Sequence, residues 1–104
     1  QCFGSKINNC WISINRKRGV FLNGTNNSVV VTNSVIATND VSAAGFPNLE
    51  LNDTVAVGQN DSVTITGCDL SAYTGAAYGL VVKSTFGAFI SGNDIESAST
   101  FGFY

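Results

Sequence analysis

Two aspartates, Asp69 and Asp94, occupy the same place in two copies of a short pattern, Cys68-Asp69-Leu70 and Asn93-Asp94-Ile95. In extended chain each points away from its two neighbours, because side chains alternate with a period of two. If the copies stack as adjacent strands, the carboxyls come roughly 5 Å apart. Carboxylates that close repel, which raises one pKa and leaves an acid beside an ionised partner. Glycoside hydrolysis uses such a pair, and a separation of roughly 5 Å goes with retention of configuration. Asp69 and Asp94 are therefore the candidate catalytic residues. The competing readings are two solvated carboxylates beside turns, which is the commoner occurrence, and a contact to a sugar or cation. With no histidine in the chain, acid–base work falls to carboxylates.

Trp11, at the same place in Cys10-Trp11-Ile12, offers a ring to lie on a sugar face. Tyr73, Phe46 and Tyr104 are further candidate platforms. Glu50 and Asp53 fall on the longest connection and complete the candidate carbohydrate-binding set of Trp11, Tyr73, Glu50 and Asp53, although solvation carries more weight for these two acids. Asp40, Asp61 and Glu96 are expected in turns. Phe3 aligns with Phe86 and Tyr78 with Phe101, which suggests structural stacks at corners.

The elements that would hold these residues repeat. Phe3 to Ile12, Asn27 to Ile36, Asp61 to Leu70 and Phe86 to Ile95 superpose as a short alternating stretch, a two-residue polar turn and a second short stretch. Degenerate repetition at about two dozen residues marks a solenoid. The alternation directs Ser5 and Ile7, Val29 and Val31, Val63 and Ile65, and Ala88 and Ile90 inward. In the second stretch it directs Cys10 and Ile12, Ser34 and Ile36, Cys68 and Leu70, and Asn93 and Ile95 inward. Trp11, Val35, Asp69 and Asp94 then form an outward column. A third stretch precedes each line, at Val20-Phe21-Leu22, Val55-Ala56-Val57 and Leu80-Val81-Val82. Length variation collects after the second stretch, and residues 37–52 form the long loop that holds the only proline, Pro47.

Composition agrees with a strand-rich chain. Charged residues are 12% and hydrophobic ones 44% of 104 residues, and no stretch carries a helical apolar period. The formal net charge of −2 gives no footprint for nucleic acid, and no apolar run is long enough to span a bilayer as a helix. Arg16-Lys17-Arg18 is expected to be a solvated turn. Cys2, Cys10 and Cys68 make neither a metal pattern nor a disulfide framework, and no cofactor or metal is expected. Four Asn-x-Ser/Thr sequons, at Asn23, Asn26, Asn52 and Asn60, read as turn chemistry rather than glycosylation sites.

The phrases Ile7-Asn8-Asn9-Cys10-Trp11-Ile12, Val63-Thr64-Ile65-Thr66-Gly67-Cys68-Asp69-Leu70 and Ile90-Ser91-Gly92-Asn93-Asp94-Ile95 resemble coils of right-handed parallel β-helices of the pectate-lyase-like superfamily. Rungs rich in Gly, Ser, Thr and Asn look most like bacteriophage tailspikes. The resemblance implies an all-β, right-handed parallel β-helix of about four rungs, a single segment over residues 1–104. Both ends fall inside a rung, which leads to the expectation of a piece of a longer helix. The resemblance further implies a homotrimer on the virion tail, extracellular, that recognises bacterial surface polysaccharide and in some members depolymerises it. It leaves open whether the parent is an endoglycosidase or a polysaccharide lyase. The alternatives are a bacterial lyase or hydrolase on the same scaffold and a purely structural or oligomer-contact shaft.

Overall fold

A computed structural model describes residues 2–42, 44–52, 60–71, 78–83, 85–96 and 101–103. Among them the chain is all-β. It runs through β1 (Cys2–Phe3), β2 (Lys6–Asn8), β3 (Trp11–Ser13) and β4 (Val20–Asn23). It then runs through β5 (Asn26–Asn27), β6 (Val30–Thr32), β7 (Val35–Ala37) and β8 (Pro47–Asn52). β9 (Asn60–Asp61), β10 (Val63–Thr66), β11 (Tyr78–Val82), β12 (Ala88–Ser91) and β13 (Phe101–Phe103) follow.

Among the described residues every strand pairing is parallel and joins residues far apart in sequence. The first sheet has the order β1-β5-β9 and the second β12-β10-β6-β2. The third is β3-β7, extended by single bridges from Val35 to Asp69 and from Asp69 to Asp94. The fourth is β13-β11-β8-β4. On each pass the chain visits the four sheets in the same order. The fourth pass touches the first sheet through a bridge from Asn60 to Thr85.

The bends between sheets recur in register. Asn9 (φ 54°), Asn33 (49°), Gly67 (63°) and Gly92 (61°) are left-handed, each directly after a strand of the second sheet. Gly adopts this conformation freely and Asn tolerates it, which explains these residue types in one column. The bends still extend the ladder: Asn9 N donates to Thr32 O at 3.3 Å and Asn33 N to Thr66 O at 3.1 Å. The two-residue polar turns of the sequence pattern are these one-residue reversals of φ.

Period-two alternation decides what is inside. Val29, Val31, Ile36, Val63, Ile65, Cys68 and Leu70 are buried, as the inward columns require. Leu49, Leu51 and Leu80 close the core from the fourth sheet. Fully burying one such side chain stabilises the fold by about 1.5–3 kcal/mol. Ser5, Cys10 and Ala88 of the same columns are exposed. These residues lie on the first and fourth passes, where a neighbouring pass covers one side only.

One expected boundary is corrected. Residues 37–52 are not one long loop, because Pro47–Asn52 is a strand paired with Val20–Asn23 on one side and Tyr78–Val82 on the other. Pro47 opens that strand, the position where a missing N–H costs least. The stretch Val55-Ala56-Val57, expected to fill this role, lies outside the described residues.

Buried asparagines finish the interior. Asn26 Nδ2 donates to Asn60 Oδ1 at 2.8 Å, and Asn60 Nδ2 donates to Leu22 O and Asn52 O. Asn15 Nδ2 donates to Asn39 Oδ1, Asn39 Nδ2 to Asn48 Oδ1, and Asn48 Nδ2 to the carbonyls of Leu70 and Ser71. Asn26 and Asn60, two of the sequon asparagines, are thus enclosed structural amides. Asp40 is likewise buried, not solvated: its carboxylate accepts Phe46 N at 2.8 Å and Ser42 Oγ at 2.9 Å.

Candidate functional site

The third sheet presents the outward column. Trp11 pairs with Val35, Val35 bridges to Asp69, and Asp69 bridges to Asp94. Trp11 is 78% exposed, and its Nε1 donates to Ser13 Oγ at 2.9 Å, which fixes the indole edge against its own strand. An open hollow of about 480 Å³ lies along this column, lined by Trp11, Ser13, Ile14, Val35, Ala37, Thr38 and Asp69. Its floor is apolar, one wall is an aromatic ring, and one edge carries a carboxylate and hydroxyls.

The far end of the hollow is held in an uncommon conformation. Ile14 (φ 59°) and Thr38 (55°) are both left-handed, which β-branched residues rarely adopt. Ile14 N donates to Thr38 O and Thr38 N to Ser71 O, each at 3.2 Å, so the reversal is locked pass on pass. Ile14 is left 72% exposed beside Trp11. Such strain persists where the surrounding structure over-determines it.

The structure therefore brings Asp69 to the same hollow as Trp11. Asp69 Oδ1 accepts the N–H of Ser71 at 2.9 Å, a short-range bond that turns the carboxylate along its own strand. Asp94 pairs with Asp69 through the backbone, is exposed, and is not part of the hollow's lining. Tyr73 and Asp53 lie outside the described residues.

Glu50 is elsewhere, and its expected position on a solvated loop is corrected. It stands in β8 between Phe21 and Val81 of the flanking strands and is fully buried. Its Oε2 pairs with Arg18 Nε, while its Oε1 accepts Lys83 Nζ at 3.2 Å and Asn52 Nδ2 at 3.0 Å. Burial pushes this carboxyl up, but the hydrogen bonds and charges of Arg18 and Lys83 outweigh it and hold the pKa below the ordinary value. Arg18, expected in a solvated turn, lies 4.3 Å from the Phe21 ring centre and 4.4 Å from that of Phe46. Arg16 and Lys17 are exposed as expected.

The aromatic alignments divide. Tyr78 does pair with Phe101 on neighbouring strands. Phe3 and Phe86 do not stack: Phe3 pairs with Asn27, Asn27 with Asp61, and both phenylalanines are largely exposed. Among the described residues, no three His, Cys, Asp or Glu side chains cluster closely enough to hold a metal ion.

Comparison with protein-family models, with curated proteins and with solved structures finds no match for this chain.

Proposed function

We propose that this chain forms successive coils of a right-handed parallel β-helix whose third sheet binds a bacterial surface polysaccharide, in the manner of a tailspike. The coil reading is supported by the fixed order in which the chain visits four parallel sheets and by the aligned left-handed bends. Right-handedness follows from the general rule for crossovers between parallel strands. On this reading the protein is a virion-attached, extracellular homotrimer.

The observation that carries the binding reading is the shared hollow of Trp11 and Asp69. A pyranose presents an apolar face and a rim of hydroxyls. An exposed indole beside an apolar floor accepts the face. The Asp69 carboxylate and the Ser13 and Thr38 hydroxyls supply acceptors and donors for the rim. An exposed tryptophan with its indole edge already hydrogen-bonded loses little freedom when a ligand settles on it.

Screening the protein against purified bacterial surface polysaccharides, with wild type and Trp11→Ala side by side, tests the proposal. Saturable binding that weakens at least tenfold in Trp11→Ala is expected. Equal binding by both proteins contradicts the assignment to this hollow. Release of reducing ends or unsaturated sugars in the same assay shows whether recognition is accompanied by cleavage.

A further inference from the structure

The basic residues of this acidic chain are not scattered. Arg16, Lys17, Arg18 and Lys83 are four of its five Lys and Arg. The first three line a hollow of about 490 Å³ beside Phe46. Arg18 and Lys83 line a second cleft, of about 450 Å³, that shares Phe46 with the first and includes Pro47, Glu50 and Tyr78. Against these four cations the described residues set two buried carboxylates, Glu50 and Asp40. Among the described residues this leaves two positive charges over in that region, on a chain whose formal net charge is −2.

The donors are also unspent. Glu50 takes Arg18 through Nε alone, and the terminal N–H groups of that guanidinium make no hydrogen bond among the described residues. Lys83 gives one of its three N–H donors to Glu50, and its side chain is half exposed. The guanidinium carbon of Arg18 lies 4.3 Å from the Phe21 ring centre and 4.4 Å from that of Phe46, and with its Nε on Glu50 these contacts orient the group before any ligand arrives. Glu50 is saturated by Arg18, Lys83 and Asn52 and fixes both cations from below. A cleft with pre-oriented cationic donors and aromatic walls suits an anionic group carried on a ring with an apolar face.

We infer that the cleft lined by Arg18, Lys83, Phe46 and Tyr78 binds the anionic group of a charged sugar residue, so that the polysaccharide recognised is acidic. This rests on the polysaccharide reading of the Trp11 hollow for the kind of polymer bound. The two regions follow one another along the chain: Ile14 lines the first hollow and Asn15 begins the basic one. A point charge such as Lys83 does not choose between a carboxylate and a phosphodiester on the sugar, so the test includes both.

Affinities are measured calorimetrically for a hexuronate-containing oligosaccharide, a phosphodiester-linked one, and the first with its carboxyls reduced to alcohols. Wild type, Lys83→Gln and Trp11→Ala are compared, with thermal melts to verify folding. The half-exposed Lys83 can be replaced without opening the core, because Arg18 still neutralises Glu50. The expected result is that at least one anionic form binds about tenfold more tightly than the neutral form. Lys83→Gln removes that advantage, and the advantage shrinks with added salt. The anionic form that shows the effect identifies the group. Equal affinities for all three ligands, unchanged in Lys83→Gln but weakened in Trp11→Ala, overturn the anionic site and leave the polysaccharide reading standing. No binding of any ligand contradicts both.

Discussion

Arg18 and Glu50 form an ion pair in which the carboxylate is fully buried and the guanidinium lies against the rings of Phe21 and Phe46. A strand of the fourth sheet thus carries a charge where its outward face would ordinarily meet water. Removing Arg18 leaves the buried carboxylate with the half-exposed Lys83 as its one remaining cation among the described residues, which is costlier than never having had the pair. Arg18→Met is expected to lower the unfolding free energy by about 3 kcal/mol. Lys83→Met, at a half-exposed cation, should lower it by less than about 1 kcal/mol. Urea titrations of the two variants check the difference, and equal losses would contradict it.

Two carboxyls, Glu50 and Asp40, have pKa values below the ordinary 4.5 and 3.8 in the folded chain. In both, burial pushes upward. For Glu50, Arg18 and Lys83 outweigh it, and for Asp40 the Phe46 amide and the Ser42 hydroxyl lead the opposing bonds. A carboxyl whose folded value is depressed stabilises the fold above its unfolded value, and the contribution is lost as pH falls through the folded value. From these groups, stability should be level above about pH 5 and decline below it. Urea midpoints from neutral to acid pH measure this. Glu50→Gln should show a shallower acid limb than wild type, and an equally steep one would contradict the assignment.

Gly19 has no room for a side chain. A Cβ there would lie 2.5 Å from Asn39 Nδ2, 2.7 Å from Ile36 Cγ2 and 2.9 Å from Asn48 O. Those atoms belong to the core and the buried asparagine ladder, and Gly19 N itself donates to Asn48 O at 2.9 Å. Gly19→Ala is expected to cost about 2 kcal/mol or more by overpacking. At Gly4 a Cβ meets nothing within 4 Å, but φ is +60°, so Gly4→Ala should cost about 1–2 kcal/mol from backbone strain alone. Thermal melts should rank Gly19→Ala as the less stable variant.

Asp69 and Asp94 separate two accounts of the third sheet. Asp69 lines the hollow with Trp11, whereas Asp94 does not. If the hollow binds sugar, Asp69→Asn weakens binding several-fold and Asp94→Asn leaves it nearly unchanged. A catalytic dyad requires instead that either variant abolish product release while binding persists. Affinity and release measured on the same preparations distinguish these outcomes.

The core columns were legible because Val29-x-Val31, Val63-x-Ile65 and Cys68-x-Leu70 alternate cleanly beside residues that accept a left-handed bend. The same logic placed Trp11 and Asp69 on one outward column, which is the candidate binding site. The strand at Pro47–Asn52 was obscured for a physical reason. Its alternate residues, Asn48 and Glu50, are polar yet buried, so the run does not read as one wet and one dry face. The signal that could have found it is the Leu49-x-Leu51 step, the counterpart of Val20-x-Leu22 and Leu80-x-Val82. The Arg18–Glu50 cluster was hidden by the same misplacement, since a glutamate assigned to a loop needs no partner. Phe3 and Phe86 show a further limit: residues can share a register without touching when two passes lie between them.

Trp11 is the only tryptophan, so its fluorescence reports on the proposed site alone. The free protein should emit at the long wavelength of a solvated indole, as the 78% exposure of Trp11 requires. Titration with a bound polysaccharide should shift that emission to shorter wavelength and saturate at the affinity found by calorimetry. Saturable binding by calorimetry with no change in the Trp11 emission would contradict the central claim that the glycan is held on this ring.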